Sequence, residues 1–246
     1  MTNMPLRAVP DPDDDSGQQL LGAITKQHWD IKECLALIKK GANVNYRHGL
    51  TKKPLLAFAV HRNSPELLTA LLAAGADVNA SPVTSKSTPL MQATLRHRTS
   101  LLPILVQHGA DLEARNRSGL TALALATIHG EPDVIEKLIQ LGANVNTKDD
   151  KGVTPLAHCA ANFYADNGFD GLKHLLNAGA DPHARDAVGR TPAEYAKDMG
   201  KVTAAVFIQK EVRQRIINNF TAAAAAGTTR QRPIKRRIIT PKQEPK

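Results

Sequence analysis

The chain has very little of several things. Only two cysteines occur, Cys34 and Cys159, and each falls on the packing side of a helical pattern that wants a small or apolar residue. That reads as two structural thiols in a reducing compartment rather than a disulfide framework. No apolar run approaches the roughly 20 residues of a bilayer span. The opening MTNMPLRAVPDPDDD has neither the basic start nor the apolar core of an export signal, so a cytoplasmic protein without an anchor is expected. There is no G-x-S-x-G elbow, no phosphate loop and no H-E-x-x-H pair, so the expectation is a non-enzyme with no cofactor and no metal. Aromatic residues are few, one Trp, three Tyr and five Phe, and none lies beyond Phe220 in the basic C-terminal stretch. That stretch therefore lacks the rings that would stack on bases.

What is present is a repeat. GANVN at Gly41, GADVN at Gly75, GADLE at Gly109, GANVN at Gly142 and GADPH at Gly179 are separated by 34, 34, 33 and 37 residues. A second marker keeps the same register: Lys53-Pro54-Leu55, Thr88-Pro89-Leu90, Thr121-Ala122-Leu123, Thr154-Pro155-Leu156 and Thr191-Pro192-Ala193. Two markers in phase over five copies define a structural repeat. In the most regular copy, Leu123, Ala124, Ala126 and Thr127 give a short helix with a small-residue face, interrupted at Gly130. Pro132 suits the first turn of a second helix, whose buried stripe is Val134, Ile135, Leu138, Ile139 and Leu141. Gly142 then ends it in a left-handed residue, and Asn144, Asn146, Asp149, Asp150 and Gly152 turn the chain back.

On these residues the chain resembles the ankyrin repeat family, whose unit is a β-turn followed by two antiparallel helices. The resemblance implies an all-α fold, an α-solenoid of about six helix-turn-helix units with β-turn tips. The units run about 17–45, 46–79, 80–113, 114–146, 147–183 and 184–217, between a flexible acidic leader (1–16) and a disordered basic tail (218–246). In the second unit Lys53 stands for the family's capping Thr, so that helix start is expected to fray. The fifth unit carries about four extra residues around Asn162 to Asp170, either a binding loop or a segment whose Phe163 and Phe169 fold back onto the core. Trp29 is expected to pack at the edge of the first unit.

The resemblance also implies where a partner sits, on the concave side lined by turn tips and first helices. Mapped onto this sequence, those positions include Tyr46, His48, His61, Arg62, Lys86, Arg96, His97, Arg115, Arg117, His129, Tyr164, Arg185 and Arg190. The set leans basic, so a protein partner with an acidic surface is expected, held by a monomer. His61, His97 and His129 recur once per unit, but a spacing near 10 Å is too wide for shared coordination to one ion. From Thr221 onward there are seven Lys or Arg and one Glu, among them Arg230, Arg232, Lys235, Arg236 and Arg237. This cluster is an anionic contact to nucleic acid or lipid, a nuclear address, or simply solvated. Asn45, Asn79 and Asn146 match the family pattern that an asparaginyl hydroxylase modifies; the plainer reading is that asparagine suits the turn by bonding nearby backbone. Stand-alone arrays of this kind also resemble proteins that intracellular bacteria or poxviruses use on host cells.

Overall fold

The computed structural model describes residues 15–162 and 169–225. Contacts divide the chain into two compact units, one ending at Ile208 and one beginning at Gln209. The first is a stack of helix pairs: α1 (Ser16–Thr25) with α2 (Ile31–Lys39), α3 (Leu55–Arg62) with α4 (Pro65–Ala73), α5 (Pro89–Leu95) with α6 (Leu101–Gln107), α7 (Ala122–His129) with α8 (Pro132–Gln140), and α9 (Pro155–Ala161) with α10 (Asp170–Asn177). α11 (Pro192–Asp198) packs on α9, and α12 (Val202–Ala225) begins in the first unit and ends in the second. First helices pack on first helices in the order α1, α3, α5, α7, α9, α11. Alanines at the contact, such as Ala59, Ala93, Ala126 and Ala160, let their backbones approach, while buried leucines such as Leu71, Leu105, Leu138 and Leu175 fill the second layer.

The threonine marker works as a cap. Thr88, Thr121, Thr154 and Thr191 each accept the backbone N–H three residues on, at 3.3–3.4 Å. In the second unit the capping position belongs to Pro54, not Lys53, and no side chain caps α3. The preceding loop is one residue longer, and the gap is met differently: Lys53–Pro54 (β2) pairs antiparallel with Arg47–His48 (β1). Two residues before each cap the backbone is left-handed. Gly119, Gly152 and Gly189 hold that place in the later units, but Lys52 and Lys86 hold it in the second and third, both at φ 52°. A side chain there costs about 1–2 kcal/mol that glycine avoids.

Two expectations are corrected. Helix α12 continues through Ala225, eight residues past the expected end of the last unit at 217, because the alanine run has the highest helix propensity available. The asparagines of the GAxVN turns bond across units rather than locally. Asn45 Nδ2 donates to Gly75 O (3.1 Å) while its Oδ1 accepts Asp77 N (2.8 Å). Asn79 and Asn146 repeat this bridge to Gly109 and Asp111, and to Gly179 and Asp181.

The fourth rung is Glu113. Its Oε1 accepts Asn144 N at 2.8 Å, but its buried Oε2, where the asparagines carry their NH₂, has no partner. Glu113→Asn puts a donor in that place and is expected to stabilise the chain by about 1 kcal/mol, the worth of one regained hydrogen bond. A rise in the urea midpoint at unchanged slope is the check, and no rise would mean the carboxylate is already satisfied by water.

Candidate functional site

In the last three units the tip is built by one carboxylate or amide. Asp149 Oδ1 accepts Lys151 N (2.9 Å) and Val153 N (2.8 Å), and Asn116 and Asp186 make the same pair of bonds in their units. Successive tips are then tied by backbone: Val83 N to Thr51 O, Arg117 N to Ser85 O and Ala187 N to Lys151 O, at 3.0–3.3 Å. The result is a rigid strip from which side chains project beside the first helices.

The structure sorts the sequence-predicted contacts into free and engaged groups. Arg96, Arg115, Lys86, His61 and His129 are exposed, and none of them forms an ion pair among the described residues. Arg190 is engaged: it pairs with Asp186 (2.8 Å) and Asp198 (3.1 Å) and lies 4.7 Å over the Tyr195 ring. Arg62 donates to Ile24 O (2.8 Å) and Lys26 O (2.6 Å) and covers Trp29, locking the first unit to the second. His97 meets Glu131 at 3.1 Å, and His48 packs edge-on against Phe58. Arg185 donates to Gly189 O, Arg117 to Val83 O, and the half-buried Tyr46 covers Gly17. Tyr164, Phe163 and the tail cations Arg230, Arg232, Lys235, Arg236 and Arg237 lie outside the described residues. Phe169 stacks on Phe207 with centroids 4.2 Å apart, so that ring is spent on packing.

Sequence reasoning missed two things. The first is Lys53, which it treated only as a poor cap. Its Nζ sits 4.5 Å over Phe58, and it lines two clefts at once. One, of about 290 Å³, is bounded by Ile24, Thr25, Phe58, His61 and Arg62. The other, of about 530 Å³, is bounded by Thr51, Pro82, Thr84, Ser85, Ser87, Gln92, Leu95 and Arg96. Among the described residues, no Asp or Glu lines either. Burial and then the nearby Arg96 hold the Lys53 ammonium below its ordinary pKa. The His61 imidazole is lowered by burial and by Arg96, Lys53, Arg62 and Arg98. These cations crowd one another with no neutralising carboxylate.

The second is a buried pair. His158 Nε2 lies 3.0 Å from Asp149 Oδ2, with side-chain exposures of 11% and 6%. Burial lowers the imidazole pKa more than Asp149 raises it, so neutral His158 donates to Asp149 Oδ2. The unfolded chain then takes up a proton near the ordinary imidazole value of 6.5 while the folded chain does not. Stability is therefore full above that pH and is lost as pH falls from it toward the depressed folded value. A thermal-melt series across this window is expected to show the fall, and His158→Gln to flatten it. The cysteines are protonated structural thiols: Cys34 is raised by burial, and Cys159 is pushed up to about 12.

Comparison with known proteins agrees with this geometry. No curated protein sequence matches the chain. A family model described as ankyrin repeats, in three copies, matches residues 56–149 and 90–186, which together span more than half of the 246 residues. Ankyrin repeats are generally protein–protein interaction modules, and among the described residues no helix is long and apolar enough to cross a membrane. With its helix pairs, threonine caps and asparagine bridges, the chain belongs to the ankyrin-repeat family.

Proposed function

We propose that the chain is a monomeric, non-enzymatic adaptor that holds an acidic protein partner on the face formed by its tips and first helices. The observation that supports this most is the surplus of cations there without carboxylate partners, Lys53, Lys86, Arg96 and Arg115 above all. Complementary charge speeds capture and fixes orientation, and the rigid tips spare the entropy of ordering loops. Arg62 and Arg190 belong to the scaffold in this reading, so the contact set is smaller than the positional list.

A second reading has one observation behind it. Residues 209–246 hold ten Lys or Arg against two Glu, a net +8 of the chain's +9. In that reading the basic C-terminal unit contacts nucleic acid while the repeats hold a protein.

Affinity capture from nuclease-treated lysate separates the two. The baits are the full chain, a form ending at Ala225, which keeps α12 whole, and the full chain with Arg96 and Arg115 changed to Ala. Capture that survives the truncation and is lost with the arginines supports the adaptor. Capture that follows the tail and vanishes with nuclease overturns it.

A further inference from the structure

The larger cleft is more specific than a generally basic face requires. Lys53 and Arg96 stand on its walls with Thr51, Thr84, Ser85 and Ser87, and no acidic residue is among the described residues that line it. Ser87 Oγ is buried and has no hydrogen-bond partner among the described residues. The two tips beside it carry Lys52 and Lys86 in left-handed backbone where the later units have Gly119, Gly152 and Gly189. Thr51 and Lys53 flank the first of these lysines in sequence, and Ser85 and Ser87 the second, so each strained position is next in sequence to residues of the lining. The chain thus accepts left-handed strain in the two units that enclose the cleft.

We propose that this cleft binds a phosphomonoester, the phosphorylated Ser or Thr side chain of the protein partner. This rests on the adaptor reading and names what the partner presents. A phosphomonoester carries about −1.5 to −2 charges and three strong acceptor oxygens. That suits a cleft lined by a lysine, an arginine and four hydroxyl-bearing residues, as in other recognition of phosphorylated motifs by basic clusters. A carboxylate brings one charge and leaves the cation surplus in place. A nucleic-acid backbone spreads one charge per phosphate along a strand, whereas here Lys53 and Arg96 line one cavity of about 530 Å³.

The test uses amide spectra of the full, isotope-labelled chain titrated with O-phosphoserine, with glutamate and with a single-stranded oligonucleotide. Saturable shifts of Thr51–Lys53, Ser85–Ser87 and Arg96 with O-phosphoserine are expected. Lys53→Gln and Arg96→Gln should each weaken binding roughly tenfold, as for loss of a hydrogen bond to a charged group. Ser87→Ala should weaken it less. Equal affinity for glutamate, tighter binding of the oligonucleotide in the cleft, or no shift there with O-phosphoserine overturns the inference. A second arm repeats the capture after phosphatase treatment of the lysate. Loss of the arginine-dependent partner supports the inference; its retention overturns the inference and leaves the adaptor reading standing. If no arginine-dependent partner is captured at all, the adaptor reading falls, and the titration alone judges the cleft.

Discussion

Asp149→Ala will cost the folded chain about 3 kcal/mol, read as a fall in the urea midpoint at constant slope. One side chain satisfies three donors: Lys151 N and Val153 N through Oδ1, and His158 Nε2 through Oδ2, at 2.8–3.0 Å. The carboxylate is only 6% exposed and the imidazole 11%, so water cannot easily replace it. Hydrogen bonds to a charged group are worth about 1.5–3 kcal/mol each, and orphaned buried donors add their own desolvation penalty. The loop relaxes and recovers part of this, which sets the estimate near the worth of two bonds. Asp149→Asn keeps an acceptor for the two backbone groups and should cost about half as much. Asp186→Ala makes a useful contrast, because Arg190, which pairs with it, is 29% exposed and keeps its existing pair with Asp198. A loss below about 1 kcal/mol for Asp149→Ala would mean that the tip holds its shape without the carboxylate, and the rigid-strip account of the binding face would go with it.

Much of this fold is legible in the sequence because repeat architecture writes the same physics several times. The threonines and glycines of the two markers occupy caps and left-handed turns, as their chemistry demands. What the markers cannot show is the partner of each polar group. Asparagine in a turn suggests a local bond, and only the stack reveals that Asn45, Asn79 and Asn146 reach the next unit. Arg190 fits the positional list of contacts, yet Asp186 and Asp198 claim it, a pairing of residues four and eight apart that was available to a reader who weighed charges as well as positions. His158 was readable in the same way: it lies nine residues after the acidic tip residue Asp149, to which it bonds. Lys53 was misplaced by one residue because Pro54 sits at the cap without a hydroxyl to announce it. The cleft around Lys53 joins two units and has no sequence signature at all.

The strain at the tips makes a second large prediction. Gly152 has φ +73°, and a Cβ added there would lie 2.8 Å from Ala187 N and 3.2 Å from Asp186 C. Both are backbone atoms of the next tip, and Ala187 N donates the bond to Lys151 O that ties the fifth unit to the sixth. Gly152→Ala therefore incurs the left-handed penalty of about 1–2 kcal/mol and also pushes that link apart, for a total near 3 kcal/mol. Gly142→Ala is the control: its φ is +97°, but nothing lies within 4 Å of the added Cβ, so only the conformational penalty remains. The difference between the two variants measures the tip-to-tip contact itself. In an array whose units touch only their neighbours, weakening that contact should free the sixth unit before the others. Amide exchange at Ala187 and along α11 is expected to quicken in Gly152→Ala while Leu105 and Leu138 stay protected. Uniform loss of protection would show instead that the tips do not couple the units, and that the helix faces alone hold the stack together.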